Sequence, residues 1–230
     1  MRTKSRLFRI GQCFAVPVLT LVMMPDRVNA QGDDLQEPAD HGGRLRMEEP
    51  GLSIWQNGVG NGFRAGTESI GLGLEANYGI SMFGGRESHR LALASLSYGY
   101  VLDSVHGKDH WYRGNWELRG ELFSGAEYSP KKEWLVGLTP HLRHEFSIGT
   151  RCVPFVDIGA GVTATSIGPP DLSGTFEFNL QACVGTHWFI EENVALTMEV
   201  RYLHMSCAGL HDPNLGLNGV TGMAGLTFFF

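Results

Sequence analysis

Phe176-Glu177-Phe178-Asn179-Leu180-Gln181-Ala182-Cys183-Val184-Gly185-Thr186-His187-Trp188-Phe189 is the stretch that decides the fold. Phe176, Phe178, Leu180, Ala182, Val184 and Trp188 fall on one parity, against Glu177, Asn179, Gln181 and His187 on the other. Side chains of a strand alternate between its two faces, so this pattern reads as a strand with one apolar and one polar face. The same contrast sets Ile70, Leu72, Leu74, Ala76, Tyr78 and Ile80 against Ser69, Gly71, Gly73, Glu75 and Asn77. It recurs at Trp116, Leu118 and Leu122 against Glu117, Arg119 and Glu121, and at Trp134, Val136, Leu138, Leu142 and Phe146 against Thr139, His141, Arg143 and Glu145.

About eight such segments follow, near 68–80, 89–102, 111–127, 133–147, 151–165, 174–190, 193–206 and 218–230. Most exceed the usual five or six residues of a soluble strand and match a tilted crossing of the hydrocarbon layer. The polar parity carries charges of both signs: Glu75, Glu117, Arg119, Glu121, Arg143, Glu145, Asp157, Glu177, Glu199 and Arg201. A soluble lipocalin-like barrel needs apolar residues inside, and these charges oppose it. The reading is an all-β, eight-stranded antiparallel transmembrane barrel of the outer-membrane type, apolar outside and salt-bridged inside. Tyr98, Tyr100, Trp111, Tyr112, Phe146, Trp188, Phe189 and Phe228-Phe229-Phe230 are expected to form one aromatic girdle at the periplasmic end. The terminal Phe230 resembles the assembly signal of bacterial outer-membrane proteins. The connection near 103–110 is long for a periplasmic turn.

The N-terminus fits export. Arg2, Lys4, Arg6 and Arg9 precede an apolar run from Ile10 to Met24, and Val28-Asn29-Ala30 ends in the small residue a signal peptidase prefers, so residues 1–30 read as a signal peptide. Its removal takes away five basic groups and one acid, and the net charge of −6 becomes −10. An acidic exported chain is not a nucleic-acid binder. Residues 31–65 read as a flexible leader that Trp55 and Phe63 anchor, with the barrel domain spanning 66–230. Three cysteines remain after cleavage, Cys152, Cys183 and Cys207, an odd number that excludes a disulfide framework using all of them. No C-x-x-C or His-rich spacing suggests a metal, and no cofactor is expected.

On the seventh segment Val194, Leu196, Met198, Val200 and Tyr202 form the apolar face, and His204 and Ser206 continue it. A base beside a hydroxyl is the minimum arrangement for nucleophilic ester cleavage. Taken alone, H-x-S is a weak signal that reads more readily as an interfacial polar cap where a strand leaves the membrane. The longer pattern is more specific. H-x-S-x-A-G-L over 204–210, followed by P-N-x-G-L over 213–217 before the final strand, resembles the lipid A 3-O-deacylase (PagL-type) family of outer-membrane acyl hydrolases. The resemblance implies a bacterial outer-membrane esterase acting on lipid A or lipopolysaccharide, with His204 as base and Ser206 as nucleophile. It also implies oxyanion stabilisation by the Gly209 backbone N–H and the Asn214 side chain. Where the family has its acid, this sequence has Asn218, and Cys207 stands where an Asn usually follows the Ser. Asn218 shares the outward parity of Val220, Ala224, Leu226 and Phe228. Its amide oxygen can set the histidine tautomer but cannot supply charge. Asn218→Glu is therefore expected to raise activity, and Asp212 is a possible substitute acid. The competing reading is a catalytically silent barrel with a structural or interaction role, which Asn218 favours.

Overall fold

The computed structural model describes residues 53–82 and 89–230. The segment read as a signal peptide and most of the expected leader lie outside the described residues. Eight strands follow in order: β1 Glu68–Gly79, β2 Arg90–Val101, β3 Gly114–Ser129, β4 Trp134–Phe146, β5 Cys152–Thr165, β6 Phe176–Phe189, β7 Val194–Ser206 and β8 Leu217–Phe229. Each pairs antiparallel with the next, and β8 pairs with β1, so the sheet closes into a barrel without an edge.

Alternation holds round the wall. Leu74, Ile158 and Val184 are 73%, 65% and 58% exposed, on a face whose solvent must be lipid. Aromatic side chains mark both rims of that apolar band. Tyr98, Tyr100, Trp111, Trp116, Trp188, Phe228 and Phe230 are exposed at the periplasmic end; Tyr78, Tyr128, Trp134, Phe176 and Phe178 are exposed at the outer end. The expected single girdle is thus two. Phe189 and Phe229 leave it altogether: they fall on the inward parity and are buried.

The lumen is filled in three layers. At the periplasmic end Trp55, Phe63, Val101, Val153, Phe189, Ala195 and Phe229 form a cluster, with Trp55 stacked on Phe63 at 4.6 Å and Phe63 on Phe229 at 5.0 Å. The Trp55 indole N–H donates to the Glu192 carbonyl at 2.8 Å. Residues 53–65, assigned to the leader by composition, are therefore packed against the barrel, and the folded body starts upstream of residue 66. In the middle layer Arg143 bridges Asp157 and Glu199, each at 2.8 Å, and Arg201 bridges Glu199 at 2.7 Å and Glu121. Towards the outer end Leu91, Leu93, Phe123, Leu135, Leu203, Met205 and Leu217 meet Ile167 and Leu172 of the β5–β6 loop. The inward face of β7 thus rests on apolar packing at the height where its outward face carries His204.

Charges this deep must be mutually satisfied, because desolvation of a lone ion costs more than its removal. Glu199 serves both arginines, so Glu199→Ala leaves two buried guanidinium groups short of a partner. The expected loss is about 3–5 kcal/mol, read as an earlier urea midpoint of the heat-dependent gel shift in detergent. An unchanged midpoint would show that the lumen charges are solvated.

The long β2–β3 connection has a structural job. The Asp103 carboxylate accepts from His106 at 2.6 Å and from the Trp116 backbone N–H at 2.7 Å. His106 and Gly114 exchange backbone hydrogen bonds. The loop folds over His144, an outward-facing polar side chain of β4, whose Nε2–H donates to the Tyr112 carbonyl at 3.1 Å. A shorter turn would leave that imidazole in the interfacial layer.

Candidate functional site

β7 alternates Leu196, Met198 and Val200 towards lipid, then continues on the same face with Tyr202, His204 and Ser206, all half-buried. In a strand, residues two apart share a face, so His204 and Ser206 are neighbours by local geometry alone. The third member comes from β8. Asn218 is the direct register partner of His204, and such cross-strand side chains start about 4.5–5.5 Å apart at Cβ. His204 Nε2 lies 3.1 Å from Ser206 Oγ, and His204 Nδ1 lies 2.7 Å from Asn218 Oδ1.

The orientation of the Asn218 amide decides the histidine tautomer, and its surroundings fix that orientation. Its Nδ2–H donates to the Met82 carbonyl at 2.9 Å, and a carbonyl can only accept. Oδ1 must therefore face the other way, towards His204 and the Tyr202 hydroxyl, which donates to it at 2.7 Å. The Nδ1–H of His204 then points at Oδ1, leaving Nε2 as the lone-pair nitrogen facing Ser206. Asn218 itself is buried, 3% exposed.

The β7–β8 loop closes over this group. Cys207 is buried and its Sγ lies 3.3 Å from the His211 carbonyl and 3.4 Å from the His211 N–H, so it holds the loop base. The Leu210 N–H returns to the Cys207 carbonyl at 3.1 Å across Ala208 and Gly209, which have φ of 52° and 81°. Two positive φ values at the centre make this a type I′ turn, with Gly209 at its exposed tip. Gly216 has φ 76°, and a Cβ there would lie 3.2 Å from His204 Cε1. Glycine lets the loop pass close beside the imidazole. Backbone bonds from Leu215 to Pro170 (3.1 Å) and from Gly216 to Asp171 (2.9 Å) tie the loop to the β5–β6 connection.

Of the residues expected from sequence, the structure gathers His204, Ser206 and Asn218. It does not gather Asn214, whose Nδ2 faces the Glu177 carboxylate at 3.1 and 3.3 Å and the Ser173 hydroxyl at 3.3 Å. Asp212 is exposed, and His204 Nδ1 is already taken by Asn218. Two participants were missed: Tyr202, counted only as part of the apolar face, and the Met82 carbonyl. A hydroxyl on the parity of His204 and Ser206 was the available signal for the first; nothing in sequence points to the second. Asp157, Cys183 and Glu199 bring ligand-type atoms within 4.8 Å of one another deep in the lumen, but Arg143 and Arg201 already engage both carboxylates.

A closed eight-stranded barrel with an apolar outer face, rimmed by aromatics and bearing a hydrogen-bonded Ser–His–Asn chain on its outer wall, defines a class: a small bacterial outer-membrane barrel. The model of the family described as Lipid A 3-O-deacylase (PagL) matches residues 92–227, more than half of the chain and all of β3 to β7. The chain belongs to that family. No curated protein matches it. Among solved structures it is similar to the crystal structure of the outer membrane enzyme PagL, at 20% identity and a TM-score of 0.50, covering 66% of this chain and 97% of that one. It is also similar to Neisserial surface protein A, at 15% identity and a TM-score of 0.52, covering 72% and 99%. At such identities these likenesses describe the fold.

Proposed function

We propose that this protein is a lipid A deacylase that uses Ser206, His204 and Asn218 on its lipid-facing surface. The observation that carries the reading is the hydrogen-bonded chain from Met82 through Asn218 and His204 to Ser206. It leaves a basic nitrogen facing a hydroxyl near the outer end of β7, and in this reading the outer-leaflet acyl ester lies beside it. In the reaction, Ser206 Oγ attacks the ester carbonyl while His204 Nε2 takes its proton. The tetrahedral intermediate expels the sugar oxygen, which receives that proton from His204. Water, deprotonated by His204, then attacks the acyl-enzyme and releases the fatty acid, and the proton returns to Ser206. Asn218 Oδ1 holds the Nδ1–H of the imidazole throughout. The exposed Gly209 N–H is the available oxyanion donor; Asn214 joins it only by giving up Glu177 and Ser173. Donors of this kind supply about 3–4 kcal/mol each in other enzymes.

The lipid bilayer takes the place of a cleft, because it delivers the ester to the barrel wall and keeps water from the acyl chain. Purified protein in uncharged detergent should release a fatty acid from lipid A, and at the same rate with and without a chelator. Release of no acyl chain under any condition would leave the silent-barrel reading, which the neutral Asn218 favours.

Tyr202 is a positioning residue in this scheme. Tyr202→Phe removes one of the bonds that hold the Asn218 oxygen, worth about 1 kcal/mol. The expected result is a fall of about fivefold in kcat with KM unchanged. A rise in KM alone would mark Tyr202 as a substrate contact.

A further inference from the structure

The strands carry four arginines and no lysine among the described residues, and three of them, Arg119, Arg143 and Arg201, point into the lumen. Arg90, the first residue of β2, points out and is exposed at the outer rim. Its guanidinium lies over the Tyr78 ring, 5.4 Å from the centroid. Tyr78 is its register partner, and the row continues across the barrel wall through Val220 on β8 to Tyr202 on β7. Three strand spacings separate the two ends of that row, about 14 Å. The next outward pair above Tyr202 and Val220 is His204 and Asn218.

On its other side Arg90 pairs with Ser129, and the turn that follows exposes Lys131 and Lys132. Of the neighbouring acids, Glu127 and Asp171 flank His89, Glu127 also within electrostatic reach of Lys131, and Glu133 accepts from the Ser166 hydroxyl at 2.5 Å, so Arg90 and Lys132 have none of them as a bonded partner. Arg90, Lys131 and Lys132 thus form a basic stretch at the outer ends of β2 and β3, to one side of Ser206, on a chain whose net charge is negative.

We propose that Arg90, with Lys131 and Lys132 beside it, is a subsite for a phosphate on the sugar headgroup of the lipid whose acyl ester lies at Ser206. This rests on the lipid A reading above and adds to it the group that fixes the headgroup. Guanidinium is the side chain whose fork matches phosphate oxygens, and stacking on Tyr78 holds the fork ready. The length of the arginine side chain shortens the gap to one that a two-sugar headgroup spans. The rival is an arginine that only snorkels to the interface.

The test uses the Ser206→Ala protein, so that binding is read without chemistry and stands or falls apart from the hydrolysis. Affinities are measured in micelles of uncharged detergent for lipid A bearing two phosphates, one, or none. Adding Arg90→Gln should weaken binding of phosphorylated lipid by about tenfold or more and leave binding of phosphate-free lipid where it was. Lys131→Gln with Lys132→Gln should give a smaller loss that salt erases. Equal affinity of the parent for phosphorylated and phosphate-free lipid would overturn the subsite. So would an Arg90→Gln defect of the same size on both lipids.

Discussion

Ser206→Ala and His204→Ala are each expected to stop the proposed acyl release from lipid A, with a fall in kcat of at least about 10³-fold. The hydroxyl and the imidazole lie 3.1 Å apart, within reach of direct proton transfer. Because they act as one unit, the double variant should be no slower than either single one. Both positions are half-buried on the outer wall and outside the lumen clusters, so the heat-dependent gel shift should be unchanged. A single variant that keeps a tenth of the parent rate would exclude its residue from the chemistry.

Asn218→Ala should lower kcat by about 10²-fold, since the imidazole then loses the group that sets its tautomer. Asn218→Asp is the informative partner. It keeps an oxygen on His204 Nδ1 and makes that bond charge-assisted, a gain of about 1–2 kcal/mol. It also turns a second oxygen towards the Met82 carbonyl, where Nδ2 now donates at 2.9 Å. The lost bond and the new repulsion are of about the same size, so Asn218→Asp should stay within about tenfold of the parent. The same carbonyl revises the gain expected of Asn218→Glu, which is one methylene longer at a position only 3% exposed and should lower activity through overpacking. Steady-state kinetics of the three variants check this. A large gain with either acid would mean that the site lacks charge rather than orientation.

The barrel was legible because a lipid-facing sheet writes its two faces into alternate residues, and the parity of β6 or β7 alone separates wall from lumen. The facing of His204, Ser206 and Asn218 came from that same parity, and their pairing followed once β7 and β8 were adjacent. What alternation cannot express is what a loop does. Trp55 and Phe63 lie in a polar, glycine-rich stretch with no period, yet they fill the periplasmic end of the lumen. The amide of Asn214 turns to Glu177, an inward residue 37 positions earlier, which no spacing rule anticipates. The Met82 carbonyl is backbone, and its contact with Asn218 spans 136 positions. Phe189 and Phe229 show a simpler lapse: grouping aromatics by strand end overlooked the parity that sends them inward.

Cleavage of an outer-leaflet acyl ester of lipid A by Ser206, as proposed, should leave its mark in the membrane itself. Mass spectrometry of lipid A from outer membranes with this protein, without it, and with Ser206→Ala tests it most directly. A lipid A species lighter by one ester-linked acyl chain is expected only where the parent protein is present. An identical lipid A profile in all three membranes, with the parent folded and inserted, would contradict it.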